Sequence, residues 1–154
     1  MPEPPAGVLP VDKPEGPTSH DVVLAARRAL GTRRVGHTGT LDPFASGLLL
    51  LCVGWATRIA EYLTALPKTY VAVARLGTAT DTDDATGRIL STSERWRTLS
   101  AAEIEDAFAR LHGRILQVPP AYSAKKKGGE PFYRRARRGE ETTPEPVPVV
   151  VYRI

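Results

Sequence analysis

Proline distribution limits this chain more than any other feature. Of 14 prolines, only Pro43 and Pro67 fall between residues 18 and 118; six lie in the first 17 residues and six in residues 119–148. Proline has no N–H and a fixed φ, so helix interiors and central strands exclude it. Regular, packed structure is therefore expected in the middle, with extended or looped ends. At 154 residues with 42% apolar and 25% charged side chains, the chain suits one globular domain with its own core. The longest apolar run, residues 47–56 (GLLLLCVGWA), is too short to cross a bilayer, so no membrane partner is expected. The first residues, MPEPPAG, carry acid and proline rather than a charged-then-apolar signal pattern. The single cysteine, Cys52, excludes a disulfide framework and argues against a metal cluster, which makes a reducing cytoplasm the expected location.

The pattern of elements is mixed. Residues 7–11 predict a strand, followed by the turn Lys13-Pro14-Glu15-Gly16. Residues 18–30 predict a helix, with Thr18 and Asp21 as a capping box, Val22, Ala26 and Ala29 on one face, and Gly31 ending it. Residues 35–47 (VGHTGTLDPFASG) read as a glycine-punctuated loop, 48–53 as a buried strand, and 56–66 as a second helix. Residues 68–76 (KTYVAVARL) alternate in the strand period and lead through DTDDATG into a strand at 88–92, a hairpin. Ser100 and Glu103 form a second capping box for a helix ending at Gly113. Pro131 and Gly139 bracket a short basic helix. Residues 147–154 (VPVVVYRI) form a hydrophobic strand on which the chain stops. Such an end is an aggregation hazard when unpaired, so the chain is expected to be the N-terminal part of a longer protein. The class is α+β.

Net charge is only +4, but it is unevenly placed. Residues 122–139 hold seven basic side chains (Lys125, Lys126, Lys127, Arg134, Arg135, Arg137, Arg138) against one acid, Glu130. Tyr122, Phe132 and Tyr133 are interleaved with them. This composition fits a nucleic-acid partner and equally a solvated helix face.

In the glycine loop, Gly36, Gly39 and Gly47 allow close backbone approach, and His37, Thr38, Thr40 and Asp42 bring polar groups beside a buried strand. Asp42-Pro43 also fits an N-cap carboxylate with proline at the first helical position. GHTG lacks the Gly-Lys-Ser/Thr ending of a phosphate loop. The run 81–87 starts like a calcium loop but has Ala85 fifth, Thr86 sixth and Thr92 twelfth, where ligands and glycine are needed. His20, His37 and His112 are too dispersed for a metal site.

The segment 34–54 (RVGHTGTLDPFASGLLLLCVG) closely resembles the bacterial TruB family of tRNA pseudouridine synthases. The resemblance extends through 7–19 (GVLPVDKPEGPTS), Lys68-Thr69-Tyr70, 74–87 (ARLGTATDTDDATG) and 117–139 (QVPPAYSAKKKGGEPFYRRARRG), in the family's order. It implies the pseudouridine synthase fold, an α+β fold with a mixed, largely antiparallel sheet and flanking helices. It implies that Asp42 is the catalytic aspartate, His37 the loop histidine and Tyr70 the tyrosine that packs on the target base. Lys126, Arg134, Arg135, Arg137 and Arg138 would hold phosphates of the tRNA T-arm. The reaction implied is isomerisation of uridine-55, with no cofactor, no metal and no obligate protein partner. The compact N-terminus favours the bacterial branch over the guide-RNA-dependent one. In the family, the catalytic domain runs on beyond the matched blocks to an arginine that pairs with the nucleophile and to a second tyrosine, and a C-terminal RNA-binding domain follows. A non-catalytic RNA-binding or tRNA-chaperone module is the alternative function.

Overall fold

The computed structural model describes residues 5–118, 126–127, 130–131 and 145–154. The chain divides into two compact units, Met1–Ala72 and Val73–Ile154.

The first unit is built on a three-stranded antiparallel sheet. Strand β1 (Gly7–Lys13) and strand β2 (Val35–His37) flank β3 (Gly47–Val53) in the order β1-β3-β2. Pro10 pairs with Leu50 in β1, and the strand tolerates it because β1 is an edge with one side free of ladder bonds. Helix α1 (Ser19–Leu30) carries the expected capping box, in which the Thr18 hydroxyl accepts from the Asp21 N–H and the Asp21 carboxylate accepts from the Thr18 N–H. Gly31 ends the helix at φ 62°, a left-handed conformation. Val23, Val35, Leu49, Leu51 and Val53 form the core, with Val11, Val22, Ala26, Leu30 and Leu41 packed on it. The buried stripe of α1 thus runs through Val22, Val23, Ala26 and Leu30; Ala29, expected on that face, is exposed.

Three expectations for this unit need correction. Residues 35–37 of the expected loop are strand, because their backbone completes the β3 edge through Val53, Cys52 and Leu51. The expected helix 56–66 is a 3-10 turn, Gly54–Ile59, followed by a short helix α2 (Ala60–Ala65). Residues 67–75 carry no regular structure, so the strand expected at 68–76 does not form. Alternation marks a face that a partner strand would cover, and here Val71 and Val73 are 97% and 98% exposed.

In the second unit, β4 (Thr78–Thr80) and β5 (Ile89–Thr92) make the expected hairpin with a shorter first strand. A 3-10 turn (Arg95–Thr98) precedes helix α3 (Ala101–Ala109), whose Ser100–Glu103 capping box is present. Helix α3 stops at Ala109 rather than reaching Gly113, which instead opens β6 (Gly113–Gln117). Strands β7 (Lys126–Lys127) and β8 (Glu130–Pro131) form a two-residue ladder. Pro131 therefore lies in a strand and not in the first turn of a helix. The final strand β9 (Val147–Val151) pairs along its whole length with β6, so the terminal apolar run is not an open edge on both sides. Every ladder among the described residues is antiparallel, and helices interleave with small sheets in an α+β arrangement. Among the described residues, no helix is long and apolar enough to cross a membrane.

Candidate functional site

Asp42 sits in the connection between β2 and β3, and its backbone is held on both sides. Buried Ser19, in the first turn of α1, accepts a hydrogen bond from the Leu41 N–H at 2.9 Å and donates one to the Leu41 carbonyl at 3.0 Å. The Leu41 side chain also packs against the core. On the other side, the Gly16 N–H donates to the Pro43 carbonyl at 2.7 Å. The turn that carries Gly16 is itself organised by Lys13. That side chain is fully buried, and its ammonium donates to the carbonyls of Pro14 and Pro17, each at 2.9 Å. The segment 13–19 is therefore the mould on which residues 41–43 are cast.

The Asp42 side chain is exposed, and nothing among the described residues hydrogen-bonds its carboxylate. It does not cap a helix. Pro43 and Phe44 form a turn closed by the Ala45 N–H on the Asp42 carbonyl at 3.0 Å. Gly47 then opens β3 at once, which leaves no length for a helical turn. The N-cap reading of Asp42-Pro43 is thereby excluded, and an exposed carboxylate without a partner among the described residues remains, on backbone held from both sides.

His37 ends β2 opposite Leu51, and its ring Nδ1 is buried with no hydrogen-bond partner among the described residues. Such an atom costs stability unless something supplies a partner. Thr38 continues the ladder by one bond, from its N–H to the Leu50 carbonyl at 3.0 Å, and is itself buried. Tyr70 is 67% exposed on the extended run after α2. Lys68 ties that run down. Its ammonium donates to the carbonyls of Thr64 at 2.6 Å and Leu66 at 3.0 Å, and its Cε lies 3.4 Å from where a Cβ on Gly39 would be. The end of the Lys68 side chain thus reaches Gly39, in the loop that carries His37 and Asp42. His37, Asp42 and Tyr70 share the first unit.

Asp84 and Cys52 are committed to structure. Asp84 accepts from the Thr86 and Thr82 hydroxyls and the Thr86 N–H, and the Thr86 hydroxyl above all holds its pKa below the usual carboxylate range. The run 81–87 is a hairpin turn in which Asp84 is bonded within the turn and Asp81 accepts from the Arg88 N–H at 2.8 Å. Burial pushes the Cys52 thiol up, which leaves it a poor nucleophile. Among the described residues, no group of three His, Cys, Asp or Glu side chains could hold a metal ion. Of the basic segment, Lys126 lies in β7, where only its backbone is described; Arg134, Arg135, Arg137 and Arg138, with Tyr122, Phe132 and Tyr133, lie outside the described residues.

Sequence reading missed Ser19, Gly16 and Lys13 as parts of the site. Their contacts cross up to 27 residues, and the only signal was their place in the run DKPEGPTS.

Residues 27–154 match the model of the TruB family pseudouridylate synthase, N-terminal domain. A tRNA pseudouridine synthase B from Geobacillus thermodenitrificans is 50% identical over 148 residues, covering 96% of this chain and 49% of that protein. The protein of the same name from Symbiobacterium thermophilum is 47% identical over 148 residues, with 96% and 49% covered. This chain spans about half the length of these relatives. Among solved structures, a chain of a Cbf5-Nop10-Gar1 complex superposes with a TM-score of 0.51 at 29% identity, covering 78% of this chain and 31% of that one. By this match and these identities, the chain belongs to the TruB family of pseudouridylate synthases.

Proposed function

We propose that the chain carries the nucleophile-bearing part of a tRNA pseudouridine synthase that isomerises uridine-55 in the T-arm. The observation that carries this reading is Asp42, whose carboxylate is exposed and without a partner among the described residues while the backbone of Leu41 and Pro43 on either side is fixed. A nucleophile held in place before substrate arrives reduces the ordering left for the transition state.

The target base lies inside a folded RNA loop, so it must be flipped out before a side chain can reach it. Tyr70 offers an exposed ring on which the flipped base stacks. His37, which ends β2 on the same connection as Asp42, binds the substrate. The Asp42 carboxylate adds to ribose C1′ or to C6 of the base, the C1′–N1 bond breaks, and the base turns. A C1′–C5 bond then forms, C5 loses its proton to solvent, N1 gains one, and the carboxylate is released. Uridine and pseudouridine are isomers, so the balance needs no oxidant, reductant or cofactor. Lys126, Arg134, Arg135, Arg137 and Arg138 hold RNA phosphates, which adds affinity rather than sequence choice. The setting is the cytoplasm, and the partner is tRNA alone.

The test joins this chain to the C-terminal half of the Geobacillus thermodenitrificans relative and follows hydrogen release from uracil C5 of an unmodified tRNA transcript. Turnover that stops with Asp42→Asn, while tRNA binding stays within a few-fold, supports the reading. Turnover that survives the substitution removes Asp42 from it. Binding without any turnover in either form favours the non-catalytic RNA module.

A further inference from the structure

The first unit hides a second concentration of positive charge. Residues 27–34 (RRALGTRR) carry Arg27, Arg28, Arg33 and Arg34 and no acid; the rest of residues 1–72 has three bases and six acids. Averaging over the whole chain conceals this. The structure folds the four arginines onto one corner. Gly31 turns the chain back after α1, and the turn is fixed by the Thr32 N–H on the Arg27 carbonyl at 3.2 Å and the Val35 N–H on the Arg33 carbonyl at 2.9 Å. The Thr32 hydroxyl accepts from the Arg34 N–H at 3.2 Å. Between helix end and return segment lies an open concavity of about 470 Å³ lined by Leu24, Arg27, Arg28, Gly31, Thr32 and Arg33.

Arg27 has a structural task, since its guanidinium donates to the Val35 carbonyl at 2.9 Å. Arg28, Arg33 and Arg34 have none. They are exposed, and among the described residues their guanidinium groups make no hydrogen bond and no ion pair. Arg27 and Arg28 in the last turn of α1 complement the helix dipole. That explanation does not reach Arg33 and Arg34, which follow the cap. Two to three unpaired cations on a rigid turn repel one another, so a purely structural role would not collect them.

From this corner we infer that Arg28, Arg33 and Arg34 of the first unit bind RNA backbone phosphates, in addition to the basic residues of the segment 122–139. The inference rests on the RNA reading given above and adds a place where the strand runs. Arg33 precedes His37 by four residues, most of them in β2, a reach of at most about 13 Å. An RNA strand whose target nucleotide sits at the Asp42 loop covers that distance within a few nucleotides. Arginine suits the role because its fork of donors matches phosphate oxygens.

Binding of the 154-residue chain to an unmodified tRNA transcript is measured across a salt series. The combined variant Arg28→Ala, Arg33→Ala, Arg34→Ala is expected to flatten the log–log salt slope by about 2, at roughly 0.7–0.9 per lost phosphate contact, with affinity falling about 10- to 100-fold. The combined Arg→Lys variant keeps most of the slope. In the unaltered chain, phenylglyoxal modification read by mass spectrometry should show Arg28, Arg33 and Arg34 shielded by the transcript, a readout independent of how any variant folds. Unchanged slope in the alanine variant, or equal reactivity with and without tRNA, overturns the inference alone. Failure of the unaltered chain to bind the transcript removes the RNA reading together with it.

Discussion

Ser19 and Leu41, 22 residues apart, exchange both of their available hydrogen bonds: the Leu41 N–H donates to the Ser19 hydroxyl, which donates back to the Leu41 carbonyl. One buried hydroxyl thus satisfies both backbone groups of the residue before Asp42. Ser19→Ala leaves that N–H and carbonyl unpaired, at a stability cost of about 1–3 kcal/mol. A displacement of about 1 Å at a reacting group lowers rate on the order of 100-fold. The joined protein bearing Ser19→Ala is therefore expected to lose kcat by that order with little change in KM. Ser19→Thr, which keeps the hydroxyl, should recover most of it. A loss confined to melting temperature, with kcat per folded molecule intact, would reduce Ser19 to a structural clamp.

Asp42 makes the opposite prediction for stability. Its carboxylate has no hydrogen-bond partner among the described residues, so Asp42→Asn should change the unfolding free energy by no more than about 0.5 kcal/mol, as for other exposed sites. Chemical denaturation of the chain and its variant checks this directly. Asp42→Ala separates the two roles without any activity assay, because it would cost about 1 kcal/mol at a helix N-cap and little at an exposed side chain that caps nothing.

Much of this was legible because it is local. Both capping boxes, Thr18–Asp21 and Ser100–Glu103, are four-residue chemistry, and both are where the sequence puts them. The alternation of 68–76 is equally clear, yet a strand needs a partner, and Val71 and Val73 stand exposed on a run with no regular structure. Asp42-Pro43 is the instructive ambiguity. The dipeptide alone fits a cap, and only the closeness of Gly47 and the clamps from Ser19 and Gly16 turn it into an exposed carboxylate on backbone held from both sides. The arginines at 27–34 escaped notice because a chain-wide net charge averages them against the acids around them.

The two units differ in how much they bury, which sets an expectation for hydrogen exchange. The first has a closed core around Leu49, Leu51 and Val53, whereas no described residue of the second is fully buried. Amides exchange through local openings whose cost follows buried apolar contacts. The β1–β3 ladder amides should exchange more slowly than those of β6–β9, on the order of 100-fold. Equal protection in both ladders, read by mass spectrometry or NMR, would contradict this.

Acid should loosen the helices through their caps. Hydrogen bonds from Thr18, chiefly its hydroxyl, hold the Asp21 carboxyl below its ordinary pKa, and those from Ser100, chiefly its backbone N–H, do the same for Glu103. A carboxyl whose folded pKa is depressed contributes stability that is complete above its unfolded value, about 4, and is lost as pH falls through the folded value. Helical signal should therefore hold from neutral pH to about 5 and decline below about 4 as both boxes protonate. Both carboxyls are exposed, so the change is fraying at the starts of α1 and α3 rather than global unfolding. Circular dichroism across this range follows it. Asp21→Asn and Glu103→Gln together should lower the helical signal at neutral pH and remove most of its dependence below pH 4. A titration whose acid limb is unaltered by both substitutions would place the acid-sensitive groups elsewhere.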